Sequence, residues 1–197
     1  MTCHQCTKEA LYKCSVCGQL LCGEHAQLRT VCLPCCNKSE IDYTIEKTPE
    51  REKASIREFV KRFWGEEEQL TFDRKFLVSE LPGYVVKVEE RTVGFISFAT
   101  ADNAMIIVAL AVLPKYQGCG IGKHLVSKAR KEAVISKKKE LLVSTSNDDL
   151  PALGFYQSQG FQVYEVKPNV IAEKHGGLFK GIGNLPIRDE LRMSKKL

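Results

Sequence analysis

The stretch YQGCGIGKHL, residues 116–125, holds three glycines within five positions, followed by a lysine and the start of an apolar helical pattern. It comes directly after the unbroken apolar run AMIIVALAVLP, residues 104–114. A buried strand, a glycine-rich loop and a helix in this order are typical of a phosphate site, because glycine lets backbone N–H groups approach the phosphate and the helix adds its positive dipole end. The sequence therefore predicts a strand over 104–112, a phosphate-binding loop, and a helix from about Ile121 to Ser136.

Two common phosphate-binding fingerprints do not fit this loop. A Walker A loop requires glycine at position 117 and Ser or Thr at 124, where this chain has Gln117 and His124. A Rossmann fingerprint requires G-x-G-x-x-G, and the glycines at 118, 120 and 122 have a different period. Besides a glycine-rich turn without a ligand, what remains is the pattern Gln117-x-x-Gly120-x-Gly122 after a strand that ends at Val112.

Residues 40–197 alternate between strand and helix patterns. A helix from Pro49 to about Trp64 has an apolar stripe at helical spacing, formed by Ile56, Phe59, Val60 and Phe63. Residues 70–82 fit no single pattern, and a second helix that ends before Pro82 is one interpretation. Strand patterns cover 42–47, 84–89, 93–99, 140–146, 161–167 and 188–197, and a short helix covers 150–160. These patterns predict an α/β (α+β) fold with a mixed sheet and helices on both faces.

A second motif follows the glycine loop at a fixed distance. Asn147 comes after the strand LLVSTS, and the segment FYQSQGF occupies residues 155–161. In this order and spacing, the two motifs resemble the GNAT superfamily of N-acetyltransferases over nearly all of 41–197. The resemblance implies a mainly antiparallel mixed sheet and direct transfer of an acetyl group from acetyl-CoA to an amine.

The resemblance also implies roles for particular residues. The splayed strand end from Leu110 to Val112 would pair with the pantetheine arm, and the amides of the glycine loop would hold the pyrophosphate. Asn147 would contact the pantetheine or order the site, and Tyr156 would protonate the leaving thiolate, with core packing as the alternative for this tyrosine. The residues assigned to acetyl-CoA are Leu110, Val112, Gln117, Gly118, Cys119, Gly120, Ile121, Gly122, Lys123, Asn147 and Tyr156, and the catalytic residues are Tyr156 and Asn147.

Two chemical groups need separate treatment. Cys119 stands where the family often has a basic residue, and its place beside the pyrophosphate is about one extended pantetheine away from the thioester, so we exclude it as a nucleophile. The general base is not identified, because the strand 104–114 contains no acid. The candidates, besides a water chain, are Glu66, Glu67, Glu68, Asp102 and His175, although the run 66–68 also fits a solvated surface.

Eight of the nine cysteines fall within residues 3–36. Seven of these eight, together with one histidine, form four pairs of identical spacing: Cys3/Cys6, Cys14/Cys17, Cys22/His25 and Cys32/Cys35. This spacing predicts two closed, structural zinc sites of four ligands each. Because only four residues separate the second pair from the third, we expect interleaved sites: Cys3, Cys6, Cys22 and His25 in one, and Cys14, Cys17, Cys32 and Cys35 in the other, with Cys36 as an alternative to Cys35. The spacing resembles cross-brace zinc modules of the B-box and AN1 kind.

Composition limits the remaining possibilities. Seven thiolates and two Zn²⁺ ions would lower the formal net charge of +5 to about +2, which gives little support for nucleic-acid binding. The longest apolar run is far short of the roughly 20 residues that span a bilayer, and the first residues lack a secretory apolar core, so we expect a cytoplasmic protein.

The predicted organisation is a two-zinc module over 1–39 and an acetyltransferase domain over 40–197. We expect an acetyl-CoA-dependent N-acetyltransferase that acts on a small amine or, through the zinc module, on an amine of a protein or other macromolecule. The alternative is a binding or regulatory protein that senses acetyl-CoA without turnover. The acceptor would lie between 49–83 and 168–187.

Overall fold

The computed structural model describes residues 2–10, 12–13, 19–22 and 41–197. A seven-stranded sheet forms the centre of the larger part, and four α-helices accompany it. The strands are β1 (Tyr12–Lys13), β2 (Leu20–Leu21), β3 (Thr44–Lys47), β4 (Glu68–Thr71), β5 (Arg74–Leu77), β6 (Gly83–Val88), β7 (Arg91–Thr100), β8 (Ala104–Val112), β9 (Glu140–Ser146), β10 (Gln162–Lys167), β11 (Phe179–Lys180), β12 (Pro186–Ile187) and β13 (Glu190–Lys196). The α-helices are α1 (Lys53–Trp64), α2 (Ile121–Ile135), α3 (Leu150–Ser158) and α4 (Val170–Lys174).

The large sheet has the strand order β10-β13-β9-β8-β7-β6-β3. Every neighbouring pair in it is antiparallel except β8 and β9, which run parallel. The parallel pair is connected through α2, as a parallel connection requires a crossover. The predicted mixed, mainly antiparallel fold is confirmed.

Helices cover both faces of this sheet. On one face, α2 buries Ile121, Leu125 and Ala129 in a core that also contains residues of β8 and β9. On the other face, Ile56 and Val60 of α1 pack in a separate core, which includes β6 and β7 residues. The division follows from strand geometry, since successive side chains of a strand point to opposite faces.

A β-bulge in β8 interrupts this alternation. Ser97 of β7 lies opposite Ala109, whereas its neighbour Phe98 lies opposite Ile107, so Val108 is the extra residue. As a result, Ile107 and Leu110 both face the α2 side, although three positions separate them. Bulges of this kind bend the strand that contains them.

The interpretation of 70–82 as a second helix is wrong. Strands β4 and β5 form a hairpin instead, joined by Phe72 and Asp73, whose φ angles of 51° and 57° are left-handed. A tight turn of this kind normally uses Asn or Gly, so the sequence lacked the usual hairpin signal. A short 3₁₀ helix, Val78–Glu80, follows the hairpin.

Three further features were absent from the sequence prediction. The segment between β10 and β13 contains the single-turn-length helix α4 and the two-residue ladder of β11 with β12. At the other end of the chain, β1 pairs with β2. The predicted boundary at 39/40 lies outside the described residues and stays a prediction. None of the helices in the described ranges is long and apolar enough to cross a membrane.

Candidate active site

An opening in the large sheet lies where β8 and β9 separate. The two strands pair only from Ala104–Ile107 to Glu140–Val143. Beyond that point, residues 108–112 of β8 and 144–146 of β9 no longer pair with each other, and the bulge at Val108 coincides with the start of the gap. The sheet therefore has a wedge-shaped opening with strand backbone on both sides.

The backbone of β8 presents hydrogen-bonding groups to this opening. The Leu113 N–H donates to the Val93 carbonyl at 2.8 Å, which fixes the direction of alternate residues in an antiparallel ladder. Leu110 and Val112 therefore direct their N–H and C=O groups away from β7, towards the gap. The Gln117 side-chain amide donates to the Val112 carbonyl at 2.9 Å, which agrees with a carbonyl that points away from β7. These are the two strand residues that the sequence assigned to a pantetheine arm.

The glycine loop closes the same end of the sheet. Gly118 and Gly120 have φ angles of 86° and 78°, in the left-handed region that favours glycine. Gly120 is the N-cap of α2, and no side chain of the described residues caps this end of the helix. The N–H groups of the first turn, up to Lys123, therefore have no acceptor within the helix and are available to an anion.

Gly122 shows a second reason for glycine in this loop. A Cβ atom on it would lie 3.2 Å from the ring of Phe155, so the first turn of α2 packs closely against α3. The two sequence motifs, 117–122 and 155–161, are thus in direct contact.

Asn147 holds a distant part of the chain. Its Nδ2 donates to the Pro186 carbonyl at 2.8 Å, and its Oδ1 accepts from the N–H groups of Arg188 and Asp189, each at 2.8 Å. The side chain is thereby bonded to the connection between β10 and β13. Of the two predicted roles for Asn147, this arrangement favours the ordering of the site.

Tyr156 lies in the core on the α2 side and is only 6% exposed. Its ring meets the rings of Phe155 and Phe161 edge to face, with centroids 5.1 and 5.5 Å away. Burial, with a smaller contribution from the charge of Asp149, raises the pKa of Tyr156 far above the ordinary value. Packing accounts for an aromatic residue here, and the hydroxyl is protonated at neutral pH, although its raised pKa makes it a weaker acid than an ordinary tyrosine.

Cys119 lies partly buried in the loop, next to a tyrosine and a histidine. The Tyr43 hydroxyl forms a hydrogen bond with Nδ1 of His124 in the first turn of α2. Burial and the neighbouring Cys119 raise the pKa of Tyr43. Residues 41–43 therefore enter the domain beside the glycine loop.

The residues considered as general bases lie in ion pairs or at the surface. Glu66 pairs with Lys174, Glu67 with Lys61 and Arg57, and Glu68 with Lys75. Asp102 is exposed, and His175 lies against the ring of Phe179. The run 66–68 thus forms surface ion pairs, as its alternative interpretation held.

The tip of the β4–β5 hairpin lies against the strands beside the opening. The buried Glu190 accepts hydrogen bonds from the Thr71 hydroxyl and the Phe72 N–H, at 3.0 and 3.1 Å. The Thr71 hydroxyl also lies 2.6 Å from that of Ser144 on β9. Glu190 in turn binds Arg192, whose guanidinium also pairs with Asp73 and Glu165. Sequence reasoning missed this network, whose one signal was the alternation of Glu190 and Arg192 on one face of the last strand.

Three of the eight predicted zinc ligands lie close together. The sulfurs of Cys3, Cys6 and Cys22 are all within 4.8 Å of one another, and those of Cys6 and Cys22 are 3.8 Å apart. Tetrahedral zinc with Zn–S bonds of about 2.3 Å separates its sulfurs by about 3.8 Å, so these thiols fit the metal. The other predicted ligands, Cys14, Cys17, His25, Cys32 and Cys35, and the alternative Cys36, lie outside the described residues.

Comparison with known proteins supports the interpretation of the fold. Residues 80–163 match the family model described as acetyltransferase (GNAT) domain. The uncharacterized protein YxbD of Bacillus subtilis (strain 168) is 27% identical over 150 residues, which are 74% of this chain and 93% of that protein.

Solved structures give the same result for the fold. The IAA acetyltransferase from Bacillus cereus ATCC 14579 superposes with a TM-score of 0.65 at 22% identity, covering 79% of this chain and 100% of that one. A GNAT family acetyltransferase from Elizabethkingia anophelis, solved with acetyl-CoA bound, has a TM-score of 0.59 at 18% identity over 80% of this chain and 100% of its own. Residues 80–163 thus match an acetyltransferase (GNAT) domain, which is an enzyme domain, and the large sheet has the fold of solved acetyltransferases.

Proposed function

We propose that the protein transfers the acetyl group of acetyl-CoA directly to the amine of an acceptor. The observation that carries this proposal is the opening between β8 and β9, into which Leu110 and Val112 direct their backbone groups. An extended chain that carries amide groups matches such a strand edge, and the pantetheine arm is a chain of this kind. The glycine loop at the same end offers unpaired N–H groups to a pyrophosphate.

Acetyl-CoA supplies an acetyl group activated as a thioester. The residues of the chain orient it, through the β8 backbone and the loop from Gly118 to Lys123, and supply a proton to the departing sulfur. We assign the proton to the hydroxyl of Tyr156, which is buried and protonated at neutral pH. Asn147 contributes by fixing the connection between β10 and β13.

The test of this proposal is CoA release from acetyl-CoA across panels of amines, peptides and tRNA. Tyr156→Phe is expected to lower kcat by about 10²- to 10⁴-fold, the usual contribution of a positioned acid, while the affinity for acetyl-CoA is retained. The matched control is Tyr164→Phe, because Tyr164 is 52% exposed. Equal turnover by both variants would assign Tyr156 to packing, and binding of acetyl-CoA without turnover on any acceptor would exclude the transferase.

For the N-terminal segment we propose two structural zinc sites. Cys3, Cys6 and Cys22 would belong to one of them, since their sulfurs lie within 4.8 Å of one another and those of Cys6 and Cys22 have the 3.8 Å separation of zinc thiolates. Zinc there replaces a hydrophobic core that so short a segment cannot build. A metal-to-protein ratio of two is expected, and Cys6→Ser should reduce it to one; a wild-type ratio well below two would contradict the two-site arrangement.

The acceptor is an amine, on a small molecule or on a macromolecule that the zinc module recruits. Its place is proposed between the β4–β5 hairpin and the connection from β10 to β13. Both segments are fixed to β9, which borders the opening, the hairpin through Ser144 and the connection through Asn147 at the strand end.

A further inference from the structure

Asp148 is a buried acid that the functions assigned above do not use. It follows Asn147 at the end of β9 and is 4% exposed. Its Oδ2 accepts a hydrogen bond from the Ile182 N–H at 2.9 Å. Its Oδ1 is buried and has no hydrogen-bond partner among the described residues.

The neighbouring charges do not neutralise this carboxylate. Arg188 binds the adjacent Asp189 through two nitrogens, at 2.8 and 2.9 Å. Arg192 lies in the network around Glu190. Within the described part of the chain no ion pair reaches Asp148. A buried carboxylate without a counter-ion is costly, so this arrangement indicates a cationic partner that the described residues do not supply.

The surrounding backbone is shaped around Asp148. A Cβ atom on Gly181 would lie 1.9 Å from its Oδ2, so only glycine lets the chain approach this closely. Asn147 accepts a hydrogen bond from the Asp189 N–H and so holds the chain that follows Gly181 against the end of β9. The carboxylate therefore lies between a strand that borders the opening and the connection proposed to border the acceptor.

We propose that Asp148 binds an ammonium group of the acceptor, separate from the nitrogen that is acetylated. The inference rests on the proposed function. A carboxylate favours the protonated form of an adjacent amine, whereas the reacting nitrogen has to be neutral, so Asp148 fits the second, non-reacting cation. The acceptor class is therefore a diamine or a longer polycationic amine.

The test compares two acceptors of equal length, 1,4-diaminobutane and 4-amino-1-butanol. The wild type is expected to show a KM about 10- to 100-fold lower for the diamine, the value of one charge-assisted hydrogen bond. In Asp148→Asn the two KM values become equal while the KM for acetyl-CoA stays the same. The matched control is Asp149→Asn, which removes one charge at the next residue and retains an N-cap acceptor for the Ala152 N–H.

The outcomes separate this inference from the proposed function. A wild type without preference for the diamine, or a preference that survives Asp148→Asn, overturns the role of Asp148. If no amine is acetylated, the transferase fails, and calorimetric titration of the CoA complex with the two amines tests Asp148 alone by the same comparison. Should Asp148→Asn not fold, Gly181→Ala takes its place, since the added methyl group occupies the space at the carboxylate and is expected to abolish the same preference.

Discussion

The two sides of the opening between β8 and β9 present different chemical groups, backbone on one side and side chains on the other. On the side proposed for acetyl-CoA, the contacts come from backbone: the amides of Leu110 and Val112 and the first turn of α2. On the side proposed for the acceptor, they come from side chains that join distant segments, such as the buried Glu190 and the half-buried Asn147. A backbone site depends on glycine conformations and tolerates changes of side chain, whereas the acceptor side depends on each of its residues.

The largest expected effect is on the acceptor side. Arg192→Ala leaves Glu190 buried without its ion-pair partner and should reduce the free energy of unfolding by about 3–5 kcal/mol. Chemical denaturation measures this loss. The control, Lys75→Ala, removes an exposed ion pair with Glu68 and should cost less than about 1 kcal/mol. Similar losses in both variants would mean that the network around Arg192 contributes no more than a surface pair.

On the acetyl-CoA side the sensitive position is a glycine. Gly120→Ala places a side chain at a φ of 78°, which costs about 1–2 kcal/mol. The empty loop is expected to relax out of this conformation, and binding must then restore it, so the Kd for acetyl-CoA should rise about tenfold. Calorimetry compares it with Gly177→Ala, where a Cβ would meet nothing within 4 Å. An unchanged Kd in Gly120→Ala would show that the loop conformation is not needed for binding.

A smaller effect is expected at the contact between hairpin and sheet. Ser144→Ala removes the 2.6 Å hydrogen bond to Thr71, which keeps its bond to Glu190, so the cost should be about 0.5–1.5 kcal/mol. Urea unfolding provides the measurement. Ser158→Ala is the control, because that exposed hydroxyl bonds only within its own helix end. If the control costs as much, the hairpin contact adds nothing specific.

The smallest effect is a local response to acid. The Arg188 guanidinium and the Asn169 N–H lower the pKa of Asp189, so its contribution is complete above about pH 4, the ordinary aspartate value, and is lost as the pH falls through the lowered value of the folded protein. Hydrogen exchange should show the Asn169 amide, which donates to Asp189, losing protection there. The Leu113 amide, bonded to the Val93 carbonyl, should keep its protection, and simultaneous loss at both would indicate global unfolding instead.

The contrast between the backbone side and the side-chain side of the opening also explains which parts of the structure the sequence predicted. The strands 104–112 and 140–146 agree with the structure at both ends, because each is a continuous β-forming run bounded by polar or turn residues. The glycine loop was recognised because glycine spacing specifies backbone conformation directly. The catalytic roles that the sequence analysis assigned to Asn147 and Tyr156 remain predictions.

The acceptor side could not be predicted in this way. The contact between Thr71 and Glu190 joins residues 119 positions apart, and no local pattern encodes such a distance. The hairpin that carries Thr71 buries few side chains and turns through Phe72 and Asp73, without the Gly or Asn that marks such turns. Asp148 lay inside a recognised motif, but only its unpartnered oxygen, a tertiary property, distinguishes it from a surface acid.

The short parallel pairing of β8 with β9 has a mechanical consequence. Only four residues of each strand join the half of the sheet formed by β3, β6, β7 and β8 to the half formed by β9, β13 and β10. The sheet thus consists of two halves that are joined by a short parallel pairing. A ligand whose amide groups bond to the edge of β8 takes the place of a missing strand in the gap. Such a ligand should therefore restrict the motion of one half of the sheet relative to the other. The protein should then resist unfolding under force more strongly with the ligand bound than without it.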